Sequence, residues 1–215
     1  MALIAGSIAF VGFNADNTDG LAFLAIDGIT AGTTITFTDN TWNGTSFGGS
    51  ESFFTWQATA NVAAGSLVEV NKAVVGSPSP SLGPIGASGG RCVAFNSTSE
   101  QCSAVTGSVA APGTFITALS NSSIGFPGTT LTGTGLTAGT DAVSLGGPGS
   151  PDVAVYNGTT SFGTDRAAAL STINNPANWL KEDGTGDQSI DSNPPTVPFL
   201  APGNSPLAGA TFSIC

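Results

Sequence analysis

Residues 7–38 read SIAFVGFNADNTDGLAFLAIDGITAGTTITFT, and this stretch decides the fold class. In an extended chain Ile8, Phe10 and Gly12 fall on one face and Ala9, Val11 and Phe13 on the other. Both faces are apolar, so 7–13 reads as a central strand covered on two sides. An Asn- and Asp-rich turn leads to a second apolar run over 21–26. After a Gly-containing turn, Thr34-Ile35-Thr36-Phe37 alternates cleanly and predicts a strand with one wet face. Strands joined by such short turns point to an antiparallel β-domain.

Working outward, apolar or alternating runs at 52–57, 66–71, 92–96, 114–119, 142–145, 152–156 and 210–215 bring the count to about ten short strands, separated by Gly, Pro, Asn and Ser clusters. One short helix is expected near 165–173, capped by Thr164 or Asp165 and stopped by Asn174-Asn175-Pro176, with Trp179 packed beneath. The segments 77–84 and 191–206 are rich in proline and read as extended crossings. The expected fold is an all-β, antiparallel β-sandwich of jelly-roll or Ig-like type, one domain over 1–215. The N-terminal strand, 1–13, has two readings: an ordinary strand of its own sandwich, or a segment that subunits exchange.

A local phrase recurs. Ile29-Thr-Ala-Gly32, Val62-Ala-Ala-Gly65 and Leu136-Thr-Ala-Gly139 each place an apolar anchor before a glycine turn. Glycine takes a positive φ there at little steric cost. The copies are unequally spaced, so this is a repeated turn device and not a solenoid.

Composition narrows the function. Charged residues are 8% of the chain, against roughly 25% in an average soluble protein. The surface is therefore Thr, Ser, Asn, Gly and Ala. A net charge of −10 from 14 acids and 4 bases opposes nucleic acid and anionic membrane surfaces. No run approaches the ~20 apolar residues of a membrane helix, so no membrane insertion is expected. Histidine is absent, which removes the usual general base, zinc nitrogen ligand and serine triad. No spacing selects a pair of carboxylates for glycoside hydrolysis. The chain is read as a non-enzyme. Residues 1–13 are apolar but lack the basic start and long apolar run of a secretory signal, so export would use another route or a leader already removed.

Residues 6–43 resemble a family of exported β-sandwich domains in surface proteins of cyanobacteria and other bacteria, itself loosely similar to lamin-tail-type modules. The phrases that carry the resemblance are Gly6-Ser-Ile-Ala-Phe10, Phe13-Asn-Ala-Asp-Asn17, Leu21-Ala-Phe-Leu24 and Ile35-Thr-Phe-Thr-Asp-Asn40 before Trp42, with Val155-Tyr-Asn-Gly158 and 173–179 downstream. The resemblance implies an extracellular or cell-surface location and a sandwich architecture, and it brings no catalytic residue.

Several positions are candidate sites. Asn14, Asp16 and Asp19 place oxygen donors on one loop, as Ca²⁺ requires, although the EF-hand glycine and closing glutamate are missing; the alternative is a solvated turn. Asp183, Asp187 and Asp191 form a second acidic loop with the same two readings. Cys92 and Cys102 bracket a loop that a disulfide can close, the alternative being two buried thiols. Cys215 is either unpaired or an intersubunit link. Trp42, Trp56 and Phe47 would make a sugar-stacking platform if exposed, or core if not. Asn43, Asn96, Asn121 and Asn157 begin N-x-[ST] sequons, which belong on surface turns.

The resulting expectation is a self-assembling structural subunit of an extracellular filament, sheath or surface layer. It would associate through low-charge surfaces and through strand addition by Ile8, Phe10 and Phe13. The alternative is a Ca²⁺-stabilised adhesion module or one that binds surface glycans.

Overall fold

A computed structural model describes residues 2–15, 20–48, 51–71, 85–86, 100–147, 149–184 and 211–214. Along the chain run β1 (Ile8–Asn14), β2 (Gly20–Ala25), β3 (Thr34–Thr38), β4 (Phe53–Gln57), β5 (Leu67–Asn71), β6 (Ile85–Gly86) and β7 (Gln101–Ser108). Then come β8 (Ala111–Ser120), β9 (Ala142–Ser144), β10 (Val153–Tyr156), β11 (Ser161–Gly163), α1 (Arg166–Ile173), β12 (Trp179–Glu182) and β13 (Ser213–Ile214). Sheet one has the order β12-β10-β1-β2-β5 and is antiparallel throughout. Sheet two has the order β6-β4-β3-β7-β8-β9, with β8 and β9 parallel. A small parallel ribbon joins β11 to β13. The architecture is a β-sandwich. Among the described residues no helix is long and apolar enough to cross a membrane.

Aromatic rings lock the two sheets together. Register sets Phe10 beside Phe23 in sheet one, and Phe37 beside Phe54 and Ile35 beside Trp56 in sheet two. Across the gap Phe37 stacks on Phe23 at 5.4 Å and meets Phe10 edge-on at 6.0 Å, and within its own sheet it stacks on Phe54 at 4.9 Å. Phe23 meets Trp56 edge-on at 5.4 Å. All five rings are fully buried. Each contributes about 1.5–3 kcal/mol by leaving water, and each ring pair about 0.5–1.5 kcal/mol more.

β1 departs from simple alternation. Its register with β2 shifts between Phe10 and Gly12, leaving Val11 as an extra residue. This bulge resets the phase, so Phe13 pairs with Leu21 and shares the inner face with Phe10, although alternation alone puts those two rings on opposite faces.

β1 lies between β2 and β10 of its own chain and is buried along its whole length. Ile8, Phe10 and Phe13 are therefore core residues, and β1 offers no unpaired edge for donation. In this single chain the segment lies within its own sandwich, flanked by two ladders and covered on both faces.

The outer faces are covered as well. Over sheet two, residues 121–141 fold back and seat Trp42, Val105, Phe115, Ala118, Leu136 and Ala142 in a second apolar cluster, with Trp42 Nε1 donating to the Thr132 carbonyl at 2.9 Å. The outward-facing Thr36 and Thr38 are buried too, against the expectation of a wet face for β3: Thr36 donates to the Gly107 carbonyl at 2.6 Å and Thr38 to the Ser52 carbonyl at 3.0 Å. Helix α1 starts at Asp165, whose side chain accepts from the Ala168 amide, and buries Ala169, Leu170 and Ile173. Arg166 bonds the Ala5 carbonyl at 2.8 Å and Asp27 at 3.1 Å, while Ser7 donates to Asp27 at 2.8 Å. At its other end Asn174 donates to the Thr140 carbonyl at 2.8 Å, so the helix ties the start of sheet one to the approach to β9.

The recurrent turn is a physical device. Gly32, Gly65 and Gly139 have φ of 84°, 82° and 81°, and their anchors Ile29, Val62 and Leu136 are buried. The first two copies clasp each other through paired Ile29 and Val62 backbone bonds of 2.8 Å. Nothing lies near the Cβ that Gly32 lacks, whereas one on Gly65 would meet the Phe212 carbonyl oxygen. Gly32→Ala is expected to cost about 1–2 kcal/mol from the left-handed conformation alone. Gly65→Ala is expected to cost measurably more, because β13 must also move. Denaturant midpoints of the two variants check the order.

Candidate functional site

Strand direction sends most of the described carboxylates to one end of the sandwich. β1 ends where β10 begins and β12 ends: Asn14 is in register with Val153, and Val153 with Glu182. The Ala15 amide donates to the Asp152 carbonyl at 2.7 Å and the Asp152 amide to the Glu182 carbonyl at 2.8 Å. Sheet two contributes Asp39 after β3, Glu51 before β4 and Glu100 before β7. Asn121 stitches the sheets together here. Its Oδ1 accepts from the Glu100 amide at 2.7 Å, and its Nδ2 donates to the Pro151 carbonyl at 3.2 Å. Asp39, Glu51, Glu100, Asp152, Glu182 and Asp183 thus share one pole, with Lys181 among them.

Short polar bonds tie this pole together. Ser52 donates to Asp39 Oδ2 at 2.6 Å, and the Glu51 amide donates to Asn40 Oδ1 at 3.2 Å. Lys181 Nζ donates to the Leu145 carbonyl at 3.3 Å beside a recess of about 140 Å³ lined by Gly147, Gly149, Glu182 and Asp183. The Asp183 carboxylate packs against Gly149, where a Cβ would displace it. Burial pushes the Glu51 carboxyl above its ordinary value, and the charge on Asp39 adds to this; a backbone hydrogen bond at Thr41 works the other way.

The two acidic loops of the sequence are rooted side by side. Asn14 closes β1 and is fully buried; Asp183 follows β12, is exposed, and is separated from Asn14 by β10 alone. Asp16, Asp19, Asp187 and Asp191 lie outside the described residues. Among the described residues no three His, Cys, Asp or Glu side chains are placed to hold a metal ion. Asp39, Glu51, Glu100 and Asp152 are acids of this pole that sequence reasoning missed. Each stands alone in the chain, and the local signal is a single carboxylate at a strand end.

Other candidates sit elsewhere. Cys102 is a free thiol buried in β7, a central strand of sheet two, and burial with the nearby Asp39 and Glu100 charges raises its pKa well above normal. Cys92 and Cys215 lie outside the described residues, and no disulfide is seen among those described. The sugar platform does not form: Trp56 is in the inter-sheet core, while Trp42 packs on Phe47 at 5.1 Å and Phe115 at 4.8 Å on the opposite face. Of the sequons, Asn43 and Asn157 are exposed, Asn121 is fully buried, and Asn96 lies outside the described residues. Asn121 is buried because its amide joins the two sheets.

The far pole is different in kind. It is built from the turns at 28–33 and 57–66 and the hairpin at 106–114, which contain no ionisable side chain. Ala31 donates to Asn61 Oδ1 at 2.9 Å and Thr36 Oγ1 to the Gly107 carbonyl at 2.6 Å, binding these loops together. Asp27 lies nearby, paired with Arg166 at 3.1 Å.

The fold and its two poles define a β-sandwich with a polarised surface. Comparison with family models, with curated proteins and with solved structures returns no match.

A carboxyl raised by folding destabilises the folded state once ionised. The penalty is absent below the ordinary value of 4.5 and develops as pH rises through the raised folded value. Glu51→Gln is therefore expected to raise the melting temperature at pH 7, with the gain vanishing at about pH 4. Thermal melts at the two pH values check this.

Proposed function

We propose that this protein is a non-catalytic structural subunit of an extracellular filament, sheath or surface layer. Copies pack through the uncharged pole while the acidic pole stays in water. One observation carries the reading: the turns at 28–33 and 57–66 and the 106–114 hairpin present Thr, Ala, Gly, Ser and Asn with no ionisable group, at the end opposite the carboxylates. Such a surface loses little hydration free energy on contact, and the centres of protein interfaces are depleted in charge in the same way. Any added strand would use an outer strand of a sheet, since β1 is internal. The resemblance of residues 6–43 to exported bacterial surface domains supports the location.

A second reading, a Ca²⁺-stabilised adhesion or glycan-binding module, rests on the two acidic loops of the sequence, whose roots at Asn14 and Asp183 lie at the ends of strands that flank β10. It predicts a melting temperature that rises with Ca²⁺ and falls back with chelator.

Negative-stain microscopy of the purified chain separates the readings. Assemblies are expected for the wild type, and dispersed particles for a Thr30→Glu, Ser108→Glu double variant with an unchanged melt. Solitary wild-type particles at all concentrations would reject assembly.

A further inference from the structure

The loop that covers sheet two leaves a groove that neither the acidic pole nor the uncharged pole includes. It holds about 460 Å³, within the range of small-ligand sites. Its walls come from the 121–141 loop and from Ser144 at the end of β9. No ionisable side chain lines it. Phe126 and Leu131 are half-buried, each with one side on the Trp42 cluster and the other toward the groove.

The backbone keeps the groove open. Gly125 and Gly128 have φ of 76° and 59°, and nothing lies within 4 Å of the Cβ position at Gly128. At Gly125 the same position is 3.0 Å from Ser144 Oγ, so that hydroxyl is directed at the glycine wall. Thr132 is exposed at the rim, and its own carbonyl is fixed by Trp42 Nε1. Neither the Thr132 nor the Ser144 hydroxyl is bonded to another described residue.

The geometry points to a binding site for a neutral saccharide. An aromatic face accepts the C–H face of a sugar ring by apolar contact. Two unengaged hydroxyls can each donate to and accept from sugar hydroxyls. The missing side chains at Gly125 and Gly128 let a flat ring approach the backbone, and the absence of charge selects against acidic or basic ligands. With one ring and two hydroxyls as its main contacts, affinity is about millimolar. This inference deepens the glycan-binding reading by naming the surface, and it is independent of assembly through the uncharged pole.

Amide chemical shifts of the full chain are followed while cellohexaose, maltohexaose and chitohexaose are titrated separately. Saturable shifts confined to Phe126, Thr132, Ser144 and their neighbours are expected with at least one of them. Phe126→Ala is expected to weaken binding at least tenfold. Because Phe126 also packs on the Trp42 cluster, Thr132→Val with Ser144→Ala serves as a second variant that keeps the fold; it should weaken binding severalfold with an unchanged melt. Absence of shifts with all three sugars overturns the proposal. So does a change of the same signals on dilution without sugar, which would assign the groove and the exposed Ile124 beside it to self-association. Saturable shifts on another face would overturn the groove and leave the glycan-binding reading standing.

Discussion

The meshing of Phe37 with Phe10, Phe23 and Phe54 is the contact on which the rest of the structure depends. It joins the sheets at their centres and fixes which face of each strand looks inward. A one-residue slip in β1 or β3 would turn these rings outward, since side chains alternate with a period of two. The bulge at Val11 shows how tightly that phase is held: the chain accepts an irregular ladder in order to bring Phe13 inward.

Once both faces of each sheet are covered, the remaining surface is mostly turns. Turn chemistry then decides what the surface can do. Here the turns divide by end of the sandwich. One end carries the strand-terminal carboxylates; the other carries glycine, alanine and threonine held by backbone bonds. The division follows from strand direction, because every antiparallel strand begins at one pole and finishes at the other. An uncharged pole suits contact with other polypeptide, and an acidic pole keeps the opposite end hydrated. The groove borders the acidic end, where Ser120 Oγ lies within hydrogen-bond distance of both the Glu100 and Gly125 carbonyls, and its walls come from the 121–141 loop over sheet two.

The sandwich class was legible because the decisive signals are local. Ile8 to Phe13 is apolar on both faces, and the three glycine turns announce themselves by composition. The helix at 166–173 was readable from its cap and its stop. β7 was not: Gln101–Ser108 mixes Ser, Thr and Gly with small apolar residues, and its Ser103 is buried although nothing in the local pattern marks it so. Cys102 left two readings open in the sequence, a loop disulfide or a buried thiol; it is a buried side chain of β7, and Cys92 lies outside the described residues. The bulge at Val11 was also hidden, since it is defined by the register with β2. The acidic pole was half visible. Each loop showed its carboxylates, but their adjacency arises from the β1-β10-β12 pairing, which links residues far apart in the chain. The groove left no sequence trace beyond a run of glycine and threonine.

The proposed assembly leaves β1 as a central strand of its own chain. Native-state hydrogen exchange, read residue by residue, tests this most directly. The account predicts that the amides of β1 and β2 exchange through global unfolding alone, with the free energy of the denaturant transition and no dependence on protein concentration. Exchange of β1 through a smaller opening while β2 stays protected would contradict it, since that is the behaviour of a strand free to be given to a neighbour.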